Sequence, residues 1–180
     1  EAADTVSINE LTYLLESGSD RIGALDFQKS PTDYEPRQKT AATLQELMES
    51  AKRVEQGVPL TPELDLALFH GSALGGARPK ALIDDKVTKY IAKFSSTTDL
   101  YSIVKTEFTA MRLAKLVGLN VANVALVQSI HKDVLLVERF DRILSEDGWK
   151  RRSMLSALTL FGLDEMMARY ASYADLAELI

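Results

Sequence analysis

The chain has 180 residues, 46% of them apolar, and its 21 lysines and arginines against 26 aspartates and glutamates give a formal net charge of -5. That is enough for one ordinary domain with a real core, or for two closely packed subdomains, and it rules against disorder as the global state. The acidic balance, with no basic run longer than Lys150-Arg151-Arg152, disfavours direct nucleic-acid binding through a basic face.

Ile8, Leu11, Leu14 and Leu15 recur at helical spacing, so a short helix is predicted over Ile8 to Glu16, with Gly18 as its stop signal. Arg21 to Phe27 alternates Ile22, Ala24 and Asp26 with Gly23, Leu25 and Phe27 and reads as a short strand. Gln28 to Lys39, with Pro31 and Pro36 among polar residues, reads as a loop. Thr43 to Gln56 places Leu44, Leu47, Met48, Ala51 and Val54 on one helical stripe that ends at Gly57 and Pro59. Thr61-Pro62-Glu63 then opens a short capped helix leading to His70 and Gly71.

From there the period changes. Short apolar runs at Ala81 to Ile83 and Lys89 to Phe94 predict strands, and Leu100 to Val117 a longer helix closed by Gly118. Val121 to Ile130 and Val134 to Phe140 are β-rich runs joined by His131, Lys132 and Asp133, which predicts an antiparallel hairpin. Helical patterns near Ser153 to Phe161 and Ser172 to Ile180 finish the chain.

There is no cysteine, and His70 and His131 lie far apart, so disulfides, thiolate chemistry and a helical zinc site are not expected. A cytoplasmic setting fits. No basic region followed by an apolar run opens the sequence, no stretch of about 18 apolar residues occurs, and no membrane partner is expected. The absent initiator Met hints at a piece of a longer polypeptide.

Four features carry candidate chemistry. Gly71 to Lys80, with Ala73, Leu74, Gly75 and Gly76 at its centre, lies between a helix and a strand, where consecutive glycines let backbone N–H groups approach an anion and Arg78 and Lys80 add positive charge. An ordinary turn is the alternative. Lys93 sits within the apolar strand Tyr90-Ile91-Ala92-Lys93-Phe94, either as an outward lysine on a half-exposed strand or as a phosphate ligand. Glu107 lies on the long helix with Ile103, Ala110 and Ala114 as face neighbours, a costly place for a carboxylate unless it is paired. Val134 to Val137 turns abruptly polar at Glu138, where the strand either becomes a hinge meeting an adenine edge or ends in a charged loop. Glycine loop, strand lysine, helix glutamate and strand-to-hinge follow the order of a kinase nucleotide lobe. The predicted fold is α+β: a small, mainly antiparallel sheet with one long helix, preceded by a helical N-terminal part and followed by the first helices of a second lobe.

With these residues in view the chain resembles the HipA family of serine/threonine kinases, the toxins of bacterial toxin–antitoxin pairs. The resemblance rests on Gly75 to Lys80, Tyr90 to Phe94, Val137-Glu138-Arg139-Phe140-Asp141-Arg142 and Ser156 to Leu160 before Gly162-Leu163, with Arg21 to Phe27 similar to that family's N-terminal portion. It implies an N-terminal subdomain over residues 1–60, a kinase-like nucleotide-binding lobe over 61–142 and the start of a helical lobe over 143–180. By the same resemblance Lys93 is the ATP-phosphate lysine, Glu107 its partner, Glu138 and Phe140 offer hinge backbone to adenine, and the loop around Gly75 and Gly76 covers the phosphates. ATP with magnesium, a protein substrate such as an aminoacyl-tRNA synthetase and a HipB-like antitoxin are the implied partners.

The family's loop serine is replaced by Ala73, with Ser72 adjacent, which puts loop autophosphorylation in doubt. The catalytic and magnesium-binding residues that the family carries belong beyond the stretch resembling Ser172 to Ala177, so no catalytic or metal residue is assigned here. Asp141, Asp164, Glu165 and Asp175 read as hinge, cap or solvated-face carboxylates. The chain alone is expected to be inactive and to expose apolar surface near its C-terminal helices. A non-catalytic nucleotide-binding or protein-interaction module, and a scaffold in which Lys93 and Glu107 are structural, are the competing readings.

Overall fold

Alternating apolar and polar side chains from Lys80 onward build strands because the period of two gives each strand one face to bury. The computed structural model describes residues 10–16, 18–37, 53, 80–85, 87–95, 99–129 and 132–180. Its elements are α1 (Glu10–Glu16), β1 (Lys80–Asp84), β2 (Lys89–Phe94), α2 (Ile103–Leu116), β3 (Val124–Ser129), β4 (Lys132–Glu138), β5 (Arg142–Ser145), β6 (Gly148–Arg151), α3 (Ala157–Phe161), a 3-10 helix (Glu165–Tyr170) and α4 (Tyr173–Leu179). The architecture is mixed helix and sheet with two small antiparallel sheets, one ordered β1-β2-β4-β3 and the other β5-β6.

One face of the larger sheet buries Ala81, Ala92, Phe94 and Val134, with Ile83, Val127 and Leu136 packed against them. α2 packs over β3 and β4. It lies on the opposite face, which carries Lys93 and Leu135 as cross-strand neighbours. α2 stops at a left-handed glycine. Gly118 has φ +86°, its N–H donates to Lys115 O at 3.1 Å, and Leu119 N–H donates to Ala114 O at 3.0 Å, which satisfies the last carbonyls of the helix.

The predicted strand over Arg21 to Phe27 does not form. Gly23 takes φ +80°, and the backbone of residues 21 and 23 bonds to arginine and aspartate side chains instead of a neighbouring strand. Lys132 and Asp133, assigned to a turn, begin β4. The β5–β6 hairpin and the 3-10 helix were not predicted, although Asp147-Gly148 is a hairpin turn signal and Asp164 accepts bonds from Met166 N–H (2.9 Å) and Met167 N–H (3.0 Å). Serine caps do start α3 and α4, through Ser156 with Thr159 N–H and Ser172 with Asp175 N–H. The helices predicted over Thr43 to Gln56 and from Thr61 fall outside the described residues, apart from Arg53. Apolar surface is exposed near the C-terminal helices, at Met166, Tyr173 and Ile180 among others.

Gly118→Ala forces a side chain into the left-handed region where nothing lies within 4 Å of a built Cβ, so conformation alone sets its cost. A loss of about 1 kcal/mol is expected by denaturant unfolding.

Candidate functional site

β2 and α2 each contribute one charged group to a common point. Lys93 Nζ donates to Glu107 Oε1, with the two side chains 33% and 35% exposed. An ion pair that open contributes only about 0–1 kcal/mol to stability, so its effect is to orient rather than to hold the fold. Lys80 stands directly opposite Lys93 in the antiparallel register of β1 and β2. Like charges directly opposed on one sheet face repel. Burial and then the Lys93 charge push the Lys80 ammonium below the usual lysine range, and Glu107 partly counters them.

The next row along the same face is apolar. Ile91 lies two residues from Lys93 and pairs with Leu82 on one side and Val137 on the other, all three half-buried. These residues give a flat hydrophobic platform between the lysines and the end of β4. The sequence reading missed them because only the strand register brings them into one row. At that end Glu138 N–H donates to Asn123 O at 2.9 Å, and the Asn123 side chain bridges Glu138 Oε2 at 2.8 Å and Lys115 of α2. Phe140 follows with its side chain 57% exposed and with no backbone hydrogen bond among the described residues.

The charges around Phe140 are buried. Arg139 and Arg142, with side chains 0% and 2% exposed, converge on Asp141 at 2%. Arg139 Nε and Nη2 donate to the two Asp141 oxygens at 3.0 and 2.9 Å, Arg142 Nη1 donates at 2.8 Å, and Gly23 N–H donates at 2.8 Å. Arg142 also donates to Asp20 Oδ1 at 3.0 and 2.8 Å and to Gly23 O at 2.8 Å. Lys89 joins through Asp20 (3.4 Å) and Asp84 (2.6 Å), and its ammonium lies 5.4 Å from the centre of the Trp149 ring. Burial pushes the Asp141 carboxyl up, but the Arg139 and Gly23 bonds outweigh it and hold the group below the usual carboxylate range. Burial likewise opposes Asp20, and Arg139, Lys89 and Arg142 bring it below that range.

Of the predicted site residues, Lys80, Lys93 and Glu107 come together, and Glu138 and Phe140 sit at the far end of the same sheet. Ala73, Leu74, Gly75 and Gly76 lie outside the described residues, as do Ser72 and Arg78. Asp141 is committed to its arginines, Asp164 caps the 3-10 helix, and Asp175 accepts from the Ser172 hydroxyl at 2.7 Å. Among the described residues no three acidic or histidine side chains group as a metal site. Among the described residues no helix is long and apolar enough to cross a membrane.

Residues 72–180 match the family model described as the HipA-like C-terminal domain. Nine chains of solved structures match. One belongs to the complex of the toxin–antitoxin proteins HipA and HipB with their operator DNA from Shewanella oneidensis MR-1. It is 26% identical with a TM-score of 0.56, and the match covers 89% of this chain and 40% of that one. The chain thus spans less than half the length of that relative. No curated protein matches. The operator DNA in the matched complex leaves the exclusion of nucleic acid drawn from net charge without support.

The paired carboxylates, Asp141 buried and Asp20 36% exposed, make the molecule acid-sensitive in a defined direction. Asp20 and Asp141 both have folded-state values below 3.8, so their stabilisation is complete above that value and is lost as pH falls through the lower folded values. Asp20→Asn should cost about 1–2 kcal/mol at neutral pH. It should also flatten the fall of the melting temperature between roughly pH 5 and pH 2, which calorimetry across that range checks.

Proposed function

The chain belongs to the HipA-like family, and from that premise we propose that it is the nucleotide-binding portion of a protein kinase that phosphorylates serine or threonine. The observation that carries the proposal is the Lys93–Glu107 pair with Lys80 facing it across β1 and β2. Two ammonium groups on one sheet face, one oriented by a helix carboxylate, suit the α- and β-phosphates of ATP.

In this reading residues 61–142 form a kinase-like lobe. The platform of Leu82, Ile91 and Val137 takes the base, the backbone of Glu138 and Phe140 reads its edge, and the loop at Ala73, Leu74, Gly75 and Gly76 covers the phosphates. Along β2 the four-residue step from Lys89, which bonds the hinge, to Lys93 spans about 13 Å, a length that a nucleoside triphosphate bridges. ATP supplies the phosphoryl group. Lys93 and Lys80 neutralise phosphate charge, Glu107 keeps Lys93 aimed, and the apolar row excludes water from the base.

The transfer step needs an acid–base group and magnesium ligands, and Asp141, Asp164 and Asp175 are engaged elsewhere. The 180-residue chain alone therefore binds ATP without turning it over. A HipB-like antitoxin and a protein substrate are further proposed partners, the former favoured by the composition of the matched complex. A cytoplasmic location goes with that reading.

Calorimetric titration with ATP tests it. Lys93→Ala should weaken binding roughly 10- to 100-fold while the circular dichroism spectrum stays unchanged. Unchanged binding would sink the phosphate role, and magnesium-dependent turnover by the 180-residue chain that Lys93→Ala abolishes would overturn the expected inactivity. ATP should also raise the Lys80 pKa, because bound phosphate favours its charged form; lysine NMR signals followed against pH give the sign.

A further inference from the structure

We infer that the network Asp20–Arg139–Asp141–Arg142 is a positioning device for the base-reading backbone at Phe140, and that it ties nucleotide recognition to residues 20–23 of the N-terminal segment. The inference rests on the nucleotide reading above and deepens it.

The turn after β4 alternates in burial. Arg139 and Asp141 point inward, while Phe140 between them is 57% exposed. Its peptide has no backbone partner of its own among the described residues, so its orientation is inherited from its neighbours. They are anchored on both sides: Arg139 N–H donates to Lys89 O at 2.8 Å, and Asp141 O accepts from Arg152 N–H at 3.0 Å. The side chains then fix the turn from below. Arg139 Nη2 donates to Arg21 O at 3.0 Å, and Gly23 closes onto the turn with both its N–H and its carbonyl.

Burying the charges of Arg139, Asp141 and Arg142, with Asp20 at their half-exposed edge, is an expensive way to gain stability alone, since well-packed apolar side chains of similar volume usually do as well or better. Directional bonds achieve what apolar contact does not. They fix the rotation of a turn as well as its distance, and recognition of a base edge needs that rotation. Gly23 lies 118 positions before Asp141, and Asp20 lies 122 positions before Arg142. A displacement of that segment therefore reaches Phe140 through the arginines.

The test compares ATP with inorganic triphosphate, which shares the phosphates and lacks the base, in the full-length protein. Wild type should bind ATP more tightly than triphosphate. Asp20→Asn should weaken ATP roughly tenfold and leave triphosphate within about twofold, and Asp20→Glu should recover part of the ATP affinity. Lys93→Ala should weaken both ligands. Should Asp20→Asn fail to fold, Arg142→Lys, which keeps the charge and loses the fork, should produce the same selective loss. Equal losses for both ligands, or none, overturn the positioning role while leaving the phosphate site standing. Wild type that binds neither ligand overturns the nucleotide reading, and this inference with it.

Discussion

A carboxylate at 2% exposure stays ionised only if other groups replace the water it has lost, and Asp141 has three that do so: the guanidinium groups of Arg139 and Arg142 and the N–H of Gly23. The desolvation cost of several kcal/mol per ion makes this arrangement all-or-none, because removing any one member leaves a buried charge uncompensated. Three parts of the chain depend on it at once. Arg139 follows β4, Arg142 begins β5, and residues 20–23 supply the remaining acceptors. The smaller sheet is drawn in too, since Arg152 after β6 bonds back to Asp141. The sheet end, the hairpin and the N-terminal segment are thus one electrostatic unit.

The opposite end of β2 works under the opposite condition. Lys93 and Glu107 remain about one-third exposed, so water screens them and their attraction contributes little to folding. α2 must be held by other means. It packs over β3 and β4 with its Val104 buried, and the Gly118 turn completes the helix end. With the helix fixed by these contacts, Glu107 aims Lys93 without having to carry the packing. β2 thus carries a weak, accessible ion pair at one end and joins the strong, buried network at the other.

That division explains which features the sequence disclosed. β1 to β4 and α2 follow from periods of 2 and 3.6, and the Lys93–Glu107 pair follows from the cost of a carboxylate on an apolar helix face. The buried network does not show itself this way. Glu138-Arg139-Phe140-Asp141-Arg142 looks like a solvated charge run, and its partners at residues 20–23 lie some 120 positions away, beyond any local period. The strand expected over Arg21 to Phe27 was lost for the same reason: alternation predicted a ladder, whereas long-range side chains had already taken the backbone groups that a ladder uses. The β5–β6 hairpin has its signal in Asp147-Gly148, but its strands are only four residues each, too short for a clear period. The glycine loop stands on sequence alone, being outside the described residues.

Net charge fails as a guide to partners for a related reason. A total of -5 argues against anionic ligands only if the charges are spread evenly, and here they are not. Asp20 and Asp141 are neutralised inside the network, Asp84 is paired with Lys89, and none of the three projects an uncompensated negative charge. Lys80 and Lys93 face one another on a single sheet surface, where the potential is set within a Debye length of about 8–10 Å. The total charge therefore does not fix the local potential at that face, which depends on individual pairings such as Glu107 on Lys93. The same reasoning removes the ground for excluding nucleic acid on net charge, and a chain similar to this one belongs to a complex that contains operator DNA.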